Sequence, residues 1–588
     1  MMVNQGSILI FTTFILAGLL TYFLARVSKM SGRIGGALTG LFSVIFVYLF
    51  FHVYSLPGVQ NLMFLLIGLV YVSSLFLLVS KETPPIQYLL FSGAAGSTFA
   101  FINGLDFITA FIFLELSTVF VFLSIVSGDR KKGGFLYLLF NGTGGLLFLY
   151  LLYFIYMKTG RFDYSAIAFL KPDEKILALT IGFLTFAIKM GTMPFHIWQP
   201  YAYRDADNGI TVFLSGAISK IGVFGAFLMV FLQGSSFRIS GNVYAYLGVI
   251  TAVLAGLYAL LQEDAKRLLA YSSLSQLGYV VIGLGLANSL SISGAILHAV
   301  SHGIFESLLF LVVGAVYIRT KTTDLNKLGG LITYMPISFI ALLFGIIATS
   351  GIPPTIGFPS KWMLYHALVI NGDPVLLSLT FLASILAFLY SFRLVYSIFL
   401  GPYTLKEKVG EAPFPALAGM VFFLLPLLIL GLFPGLVLKF IELPVVRFGL
   451  PDFSFTPATL KTPLATVNFL TVGVVFIAWF VVAILVYAFA GRSRWLPVKN
   501  NYTAAEAIED ERILHYTGDF YRFIRRDMNF LLRHSIQRFY RRLFNLFGVI
   551  GDGISRIYTG DVRTYVYFIL LFILIVLFKI KGGFPCLW

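Results

Sequence analysis

The sequence predicts an all-α polytopic membrane protein of about sixteen transmembrane helices, with two inverted five-helix repeats and a cytoplasmic-surface amphipathic lateral helix. Three observations carry this expectation. The first is composition. Of 588 residues 59% are hydrophobic and only 12% charged, about half the charge of an ordinary soluble chain. The apolar residues fall in long runs such as 7–25 and 62–79. Runs of that length read as membrane spans. Backbone groups find no water there, so the spans are expected to be helices. The second is a pair of interrupted spans. The third is a basic, helically periodic stretch near the C-terminal end.

The expected spans centre near Leu16, Ile45, Gly68, Gly93, Leu116, Leu147, Phe183, Ala217, Leu254, Gly278, Leu308, Phe344, Ala387, Leu425, Trp479 and Leu571. The first apolar run is long enough to be a span, so no cleavable signal peptide is expected. Loops after odd-numbered spans hold Arg26, Lys29, Arg33, Arg130, Lys131, Lys132, Lys266, Arg267, Arg319, Lys321, Lys406 and Lys408. The positive-inside rule makes those loops cytoplasmic and both chain ends external. The same rule explains the net charge of +16 without nucleic acid, for which the sequence holds no motif. A single cysteine, Cys586, excludes a disulfide framework, a structural zinc site and an iron–sulfur cluster held by this chain.

The seventh span is interrupted at Lys189-Met-Gly-Thr-Met-Pro-Phe-His-Ile-Trp198, around Pro194. The twelfth is interrupted at residues 350–361, around Gly351, Pro353 and Pro354. Proline removes a backbone donor, and broken membrane helices persist where they line a polar cavity. The breaks lie five spans apart. An odd offset inverts one copy relative to the other, so spans four to eight and nine to thirteen are expected to be inverted repeats. The expected organisation is 1–85 N-terminal spans, 86–240 first repeat, 241–402 second repeat, 403–490 C-terminal spans, 500–557 lateral-helix region and 558–588 terminal span. In the lateral region Arg522, Arg525, Arg526, Arg533, Arg538, Arg541 and Arg542 alternate with Phe520, Phe523, Ile524, Leu531, Phe539, Leu543 and Phe547. A basic amphipathic helix of that kind lies along a membrane surface or braces neighbouring subunits.

A charge at mid-span costs at least about 2.5–3.5 kcal/mol, so each one needs a reason. Glu115 lies mid-run, Lys189 just before the first break, Lys220 within the eighth span and Lys361 just after the second break. His298, His302 and Glu306 are spaced four apart and form one stripe on a helix face. This chemistry suits proton transfer. A lysine stripped of water gives up its proton readily, a nearby carboxylate reverses that, and histidine titrates near neutrality. Arg393, late in the thirteenth span, is expected to snorkel. His196 and His366 have no partner spacing that would make them metal ligands.

The same residues carry a resemblance. The stretches 113–117, Lys189 with 193–198, 219–224, 264–279, 298–310 and 351–361 resemble the antiporter-like subunit shared by respiratory complex I, Mrp cation/proton antiporters, formate hydrogenlyases, membrane-bound hydrogenases and sulfane sulfur reductase complexes. The lateral helix and final span resemble its long form. The resemblance implies a proton-translocating subunit. Glu115 and Lys189 become the pair of a first half-channel, Lys220 the bridge, His298 and His302 the central relay and Lys361 the exit group. Where this chain has Glu306 the family commonly has lysine, which reverses a charge on the relay stripe and leaves Lys361, Lys220 or a cation as its partner.

The resemblance further implies no cofactor in this chain, iron–sulfur clusters in partner subunits, and a redox-driven complex in the cell membrane. Its neighbours would be lipid, other membrane subunits, and antiporter-like subunits contacted by the lateral helix. A ferredoxin-linked hydrogenase or sulfane sulfur reductase type is favoured by the tail from Asp510 to Tyr521. The competing expectations are a Mrp-type Na⁺/H⁺ antiporter subunit without a redox partner, a distal complex I subunit and an inactive structural scaffold.

Overall fold

Fifteen of the sixteen expected span centres are helical in a computed structural model. The structure describes residues 4–28, 35–36, 40, 45, 58–233, 238–400, 402–403, 405, 407–445, 453–489, 526, 542 and 545. Ile45 is helical, but most of its neighbours, and Leu571, lie outside the described residues. So do the lateral-helix region, apart from the helical Arg526, Arg542 and Asn545, and the terminal span. Residues 520–588 form a unit of their own.

The helices are α1 (Gln5–Val27), α2 (Gly58–Val79), α3 (Pro85–Ile102), α4 (Phe107–Val126), α5 (Lys132–Thr159), α6 (Pro172–Met190), α7 (Trp198–Asp205) and α8 (Asn208–Gln233). They continue with α9 (Arg238–Leu260), α10 (Ala265–Leu286), α11 (Ser289–Thr320), α12 (Pro336–Ser350), α13 (Gly357–Asn371) and α14 (Pro374–Leu400). The last are α15 (Phe414–Leu432), α16 (Gly435–Val445) and α17 (Phe469–Phe489). Among the described residues eleven helices are long and apolar enough to cross a membrane unaided. The chain is not purely α-helical. Strands Ser454–Phe455, Thr459–Lys461 and Thr466–Asn468 form a small antiparallel sheet in that order, with Leu460 opposite both Phe455 and Val467. Strands of two or three residues are too short to leave an alternating pattern in sequence.

Both expected breaks exist, and each is built the same way. α6 ends on Gly191 at φ 74° and α12 on Gly351 at φ 79°, the left-handed conformation that glycine adopts without steric cost. Gly191 N–H donates to Ile188 O and Thr192 N–H to Ala187 O, both at 3.0 Å. Gly351 and Ile352 repeat this with Ala348 and Ile347, again at 3.0 Å. This paired bonding closes a helix C-terminus. Each interrupted segment then takes an acceptor from a neighbouring helix. Met193 N–H donates to Thr251 Oγ1 of α9 at 3.1 Å, and Ile356 N–H to Leu427 O of α15 at 3.0 Å. Non-helical backbone at membrane depth persists only with such partners.

Other features recur five spans apart. Asp106 caps α4 and bridges to Asp163, while Asp264 caps α10 and bridges to Asp324. A π-helical turn interrupts α8 at Leu214–Ile218 and ends α14 at Tyr396–Leu400. Met193–Pro194 and Pro353–Pro354 are both cis.

Burial sorts the helices. The apolar core of α11 is 100% buried and those of α8 and α10 94%, against 28% for α1 and 11% for α17. A helix wrapped by other helices can carry polar side chains that lipid would reject. α8, α10 and α11 are therefore where charge can be kept. α9 meets α10 at backbone contact, with Gly248 against Gly278, as membrane helices do where small residues let the backbones approach.

Candidate functional site

Of the ionisable residues singled out in the spans for proton transfer all but Glu115 are buried inside the bundle, and together they fall into three groups rather than one row. The first joins α4, α5 and α6. Lys189, 3% exposed, is the penultimate residue of α6 and donates to Thr118 Oγ1 at 2.7 Å. Its ammonium stands 5.8 Å from the centre of the Tyr137 ring. Glu115 lies one turn before Thr118 on α4, within electrostatic range of Lys189. Its carboxylate rests in a niche made by Gly145, where a Cβ would come within 2.2 Å of Oε1. Glu115 is partly exposed at the edge of the chain, and its buried Oε1 has no hydrogen-bond partner among the described residues.

The second group is fully enclosed and joins α8 to α11. Lys220 follows the π turn of α8 and donates to Ser215 O at 2.7 Å and Ser219 Oγ at 3.1 Å. It also meets His302 Nδ1 at 3.1 Å. His302 Nε2 lies 3.9 Å from Glu306 Oε2 one turn along α11. An ammonium has only donors, so it requires Nδ1 of a neutral His302 to accept. The imidazole proton then sits on Nε2, facing the carboxylate. Among the described residues neither Glu306 oxygen closes to hydrogen-bond geometry, nor does the Ser272 hydroxyl that faces it.

The third group joins α11 to α13. His298 Nδ1 is 3.0 Å from Ser360 Oγ, which also reaches Gly357 O at 3.0 Å. With the hydroxyl proton on Gly357 O, His298 holds its own proton on Nδ1, the opposite tautomer to His302. Lys361 donates to Thr349 O at 2.7 Å and lies 5.0 Å from the Tyr279 ring centre. Thr349 is in the last turn of α12, where carbonyls lack helical partners and cations are favoured. The structure thus puts Glu306 on the Lys220 side, through His302, with Lys361 turned to the open end of α12.

Residues not singled out from sequence link the groups. Trp198 Nε1–H donates to Ile188 O at 3.2 Å, next to Lys189. Gln199 Nε2 donates to Ser273 Oγ at 3.2 Å, and Ser273 lies 3.5 Å from Ser215, whose carbonyl holds Lys220. The Tyr203 hydroxyl faces Ser273, Ser215 and Gln199 within electrostatic range of Glu306, although among the described residues it closes to bonding geometry with none of them. Serine, threonine and tyrosine are ordinary in membrane helices, so nothing in their spacing marked them.

One expectation changes. Arg393 does not snorkel. It is 7% exposed and donates to Leu260 O at the C-terminal end of α9, where unpaired carbonyls draw a cation. His196 meets Pro194 O at 3.2 Å, beside Tyr258 and Tyr271. His366 meets Thr462 Oγ1 at 3.0 Å and stacks on Trp362. Among the described residues no group of three or more His, Cys, Asp or Glu gathers around a common point.

This arrangement defines a polytopic membrane protein that keeps lysine, histidine and glutamate buried in its interior. Residues 104–387 match the family described as NADH:quinone oxidoreductase/Mrp antiporter, TM. NADH-quinone oxidoreductase subunit M of Rickettsia bellii (strain RML369-C) is 31% identical over 61% of this chain and 74% of its own length. The chain belongs to this family. The subunit M of Rickettsia prowazekii (strain Madrid E) is 34% identical over 55% of this chain, which spans 66% of that relative. Formate hydrogenlyase subunit 3 of Escherichia coli (strain K12) is 29% identical over 44% of each.

Among solved structures, a chain of the membrane-bound sulfane sulfur reductase, an archaeal respiratory membrane complex, matches 97% of this chain and 99% of its own, with TM-score 0.87 and 27% identity. Chains of respiratory complex I from Thermus thermophilus (TM-score 0.67, 21% identity, 74% of this chain and 99% of that one) and of the Mrp complex from Dietzia sp. DQ12-45-1b (0.62, 20%, 75% and 96%) share the fold.

Proposed function

We propose that this chain is the ion-translocating subunit of a redox-driven membrane complex, moving protons through two half-channels made by inverted repeats. Its carrying observation is the enclosed line Lys220–His302–Glu306, with contacts of 3.1 and 3.9 Å. A proton leaving His302 Nε2 reaches Glu306, and Lys220 refills Nδ1, so the imidazole returns to its starting charge. Glu115 with Lys189 is the gate of the first half, spans four to eight (86–240). His298, Ser360 and Lys361 belong to the second, spans nine to thirteen (241–402). The paired breaks, aspartate caps and π turns five spans apart support the inverted relation.

The sulfane sulfur reductase likeness over 97% of the chain supports a ferredoxin-linked complex of that or the hydrogenase type. In that reading partner subunits hold iron–sulfur clusters, a lateral helix on the cytoplasmic surface contacts neighbouring antiporter-like subunits, and both termini are external. The sixteen-span topology belongs to the same reading. The Mrp branch of the family favours a second one, a Na⁺/H⁺ antiporter subunit without redox partner. Co-purification separates the two: a complex lacking any iron–sulfur protein sinks the redox reading. Glu115→Gln and Lys189→Ala in vesicles carrying the complex test translocation itself. Both are expected to abolish pH-gradient formation. Unchanged H⁺ and Na⁺ gradients in both would make the chain a scaffold.

A further inference from the structure

Five connections on one side of the bundle, α2–α3, α4–α5, α7–α8, α9–α10 and α11–α12, enclose a cavity of about 690 Å³. Both signs of charge line it, but they are engaged differently. Four of its aspartates are held by donors of the protein itself. Asp205 accepts Gly133 N–H at 2.8 Å, and Asp207 takes Lys81 and Gly209 N–H. Asp264 accepts Arg267 N–H at 3.0 Å and the Thr323 hydroxyl at 2.6 Å, and Asp324 accepts Asn326 N–H at 3.0 Å. The fifth, Asp129, is exposed. The basic side chains are left over. Among the described residues Arg130, Arg204 and Lys321, from three different connections, have no side-chain hydrogen bond or ion pair, and Nε of the half-buried Arg204 is itself buried. Lys266, 6% exposed, adds a fourth cation, held to Ala206 O at 2.8 Å.

Lys321 adds a second observation. It ends α11, the helix that bears His298, His302 and Glu306, at φ 59°. Glycine takes that left-handed place at the ends of α5, α6, α12 and α13, because a side chain there is strained; Ala287 ends α10 as Lys321 ends α11. A lysine held in that conformation with an unpaired ammonium points to a use for its charge. We infer that the cavity binds a phosphate group, carried by a phospholipid head or by free phosphate, between Arg130, Arg204 and Lys321. A guanidinium fork matches phosphate oxygens, and the volume suits a small ligand. Gln87 adds an acceptor. It is 4% exposed, its amide nitrogen is held by Ser124 O and Ser127 Oγ, and its buried Oε1 has no partner among the described residues. That oxygen suits the hydroxyl of a protonated phosphate or of a glycerol head. The bound anion would tie the α4–α5 and α7–α8 connections to the end of α11, whichever ion the protein moves.

The test uses the purified complex, stripped of loosely bound lipid by detergent exchange. Two probes are applied: radiolabelled inorganic phosphate in equilibrium dialysis, and dihexanoyl phosphatidylglycerol in native mass spectrometry. Arg204→Gln is expected to weaken binding of the effective probe about tenfold or more. Lys131→Gln, on a basic residue that does not line the cavity, is expected to bind as the parent does. Lys321→Gly removes the charge and relieves the left-handed strain together. Its melting midpoint without probe is expected to equal or exceed the parent's, while its rise on adding the probe is lost.

Arg204-dependent binding of inorganic phosphate supports a free-phosphate source. Arg204-dependent binding of the phosphatidylglycerol alone supports a lipid head. Binding of both probes that is the same in parent, Arg204→Gln and Lys321→Gly overturns the site, and so does binding of neither probe to the parent. If Arg204→Gln does not assemble, Lys321→Gly and Arg130→Gln, both at exposed positions, decide the matter: unchanged binding in those two overturns the site as well.

Discussion

Lys220 and Glu306 sit on opposite sides of one imidazole: the lysine meets His302 Nδ1 at 3.1 Å, and the glutamate lies 3.9 Å from Nε2. All three side chains are buried to 0% exposure. A lysine and a carboxylate in a dry interior balance each other's charge, and removing one leaves the other uncompensated.

Lys220→Met should therefore lower stability by about 3–5 kcal/mol and abolish proton movement. Adding Glu306→Gln should restore most of the stability and none of the movement. Thermal melting of the purified complex and vesicle acidification read the two effects separately. A double variant as unstable as Lys220→Met would mean that the two groups do not balance each other.

Glu306→Lys tests the departure from the family pattern. The new ammonium would stand beside His302 and Lys220 with no carboxylate to offset them. At an effective dielectric near 20, two like charges about 8 Å apart, one on each side of the imidazole, cost about 2 kcal/mol. Proton movement should fall at least as far as in Glu306→Gln. Activity equal to the parent would show that this cluster works with either sign.

Gly145→Ala probes the Glu115 niche. Its Cβ would lie 2.2 Å from Glu115 Oε1, whereas a Cβ at Gly144 meets nothing closer than 3.4 Å. The first variant should mimic Glu115→Gln in vesicle acidification, and Gly144→Ala should match the parent. Equal behaviour of the two would remove the niche as a determinant.

Asp373 caps α14 outside the membrane. The hydroxyl of Tyr246, at 2.6 Å, and the backbone N–H groups of Leu376 and Val375 hold its carboxyl below the usual carboxylate range. A depressed folded value means stability that is present above the unfolded value, about pH 4, and lost as pH falls through the folded one. Tyr246→Phe should therefore lower the melting midpoint at neutral pH. The difference should vanish once pH has fallen well below the depressed folded value and the carboxyl is protonated. A deficit that persists in acid would assign the effect to packing.

Glu115, Lys189, Lys220, His302 and Lys361 were legible because a charge inside a twenty-residue apolar run is costly and therefore conspicuous. The breaks at Pro194 and Pro353–Pro354 were legible because proline cannot donate. The grouping was not. Nothing linear says that His302 faces Lys220 while His298 faces Ser360, since both lie on one stripe of α11 and only the helices packed against it differ. Thr118, Gln199 and Tyr203 were silent for a related reason. Such residues occur throughout membrane helices, and a third helix decides which of them point at a lysine. Arg393 looked like an anchor until the carbonyl end of α9 was found beside it.

Lys361 hands one hydrogen to the Thr349 carbonyl at 2.7 Å. A neutral amine still has two hydrogens to give. Losing a proton therefore changes the field felt by His298 and Tyr279 without opening the end of α12. The segment that looks most like a hinge can stay still while the charge on it comes and goes. Under the translocation proposed above, charge can pass Lys361 as a change of field alone, with the backbone as a stationary insulator.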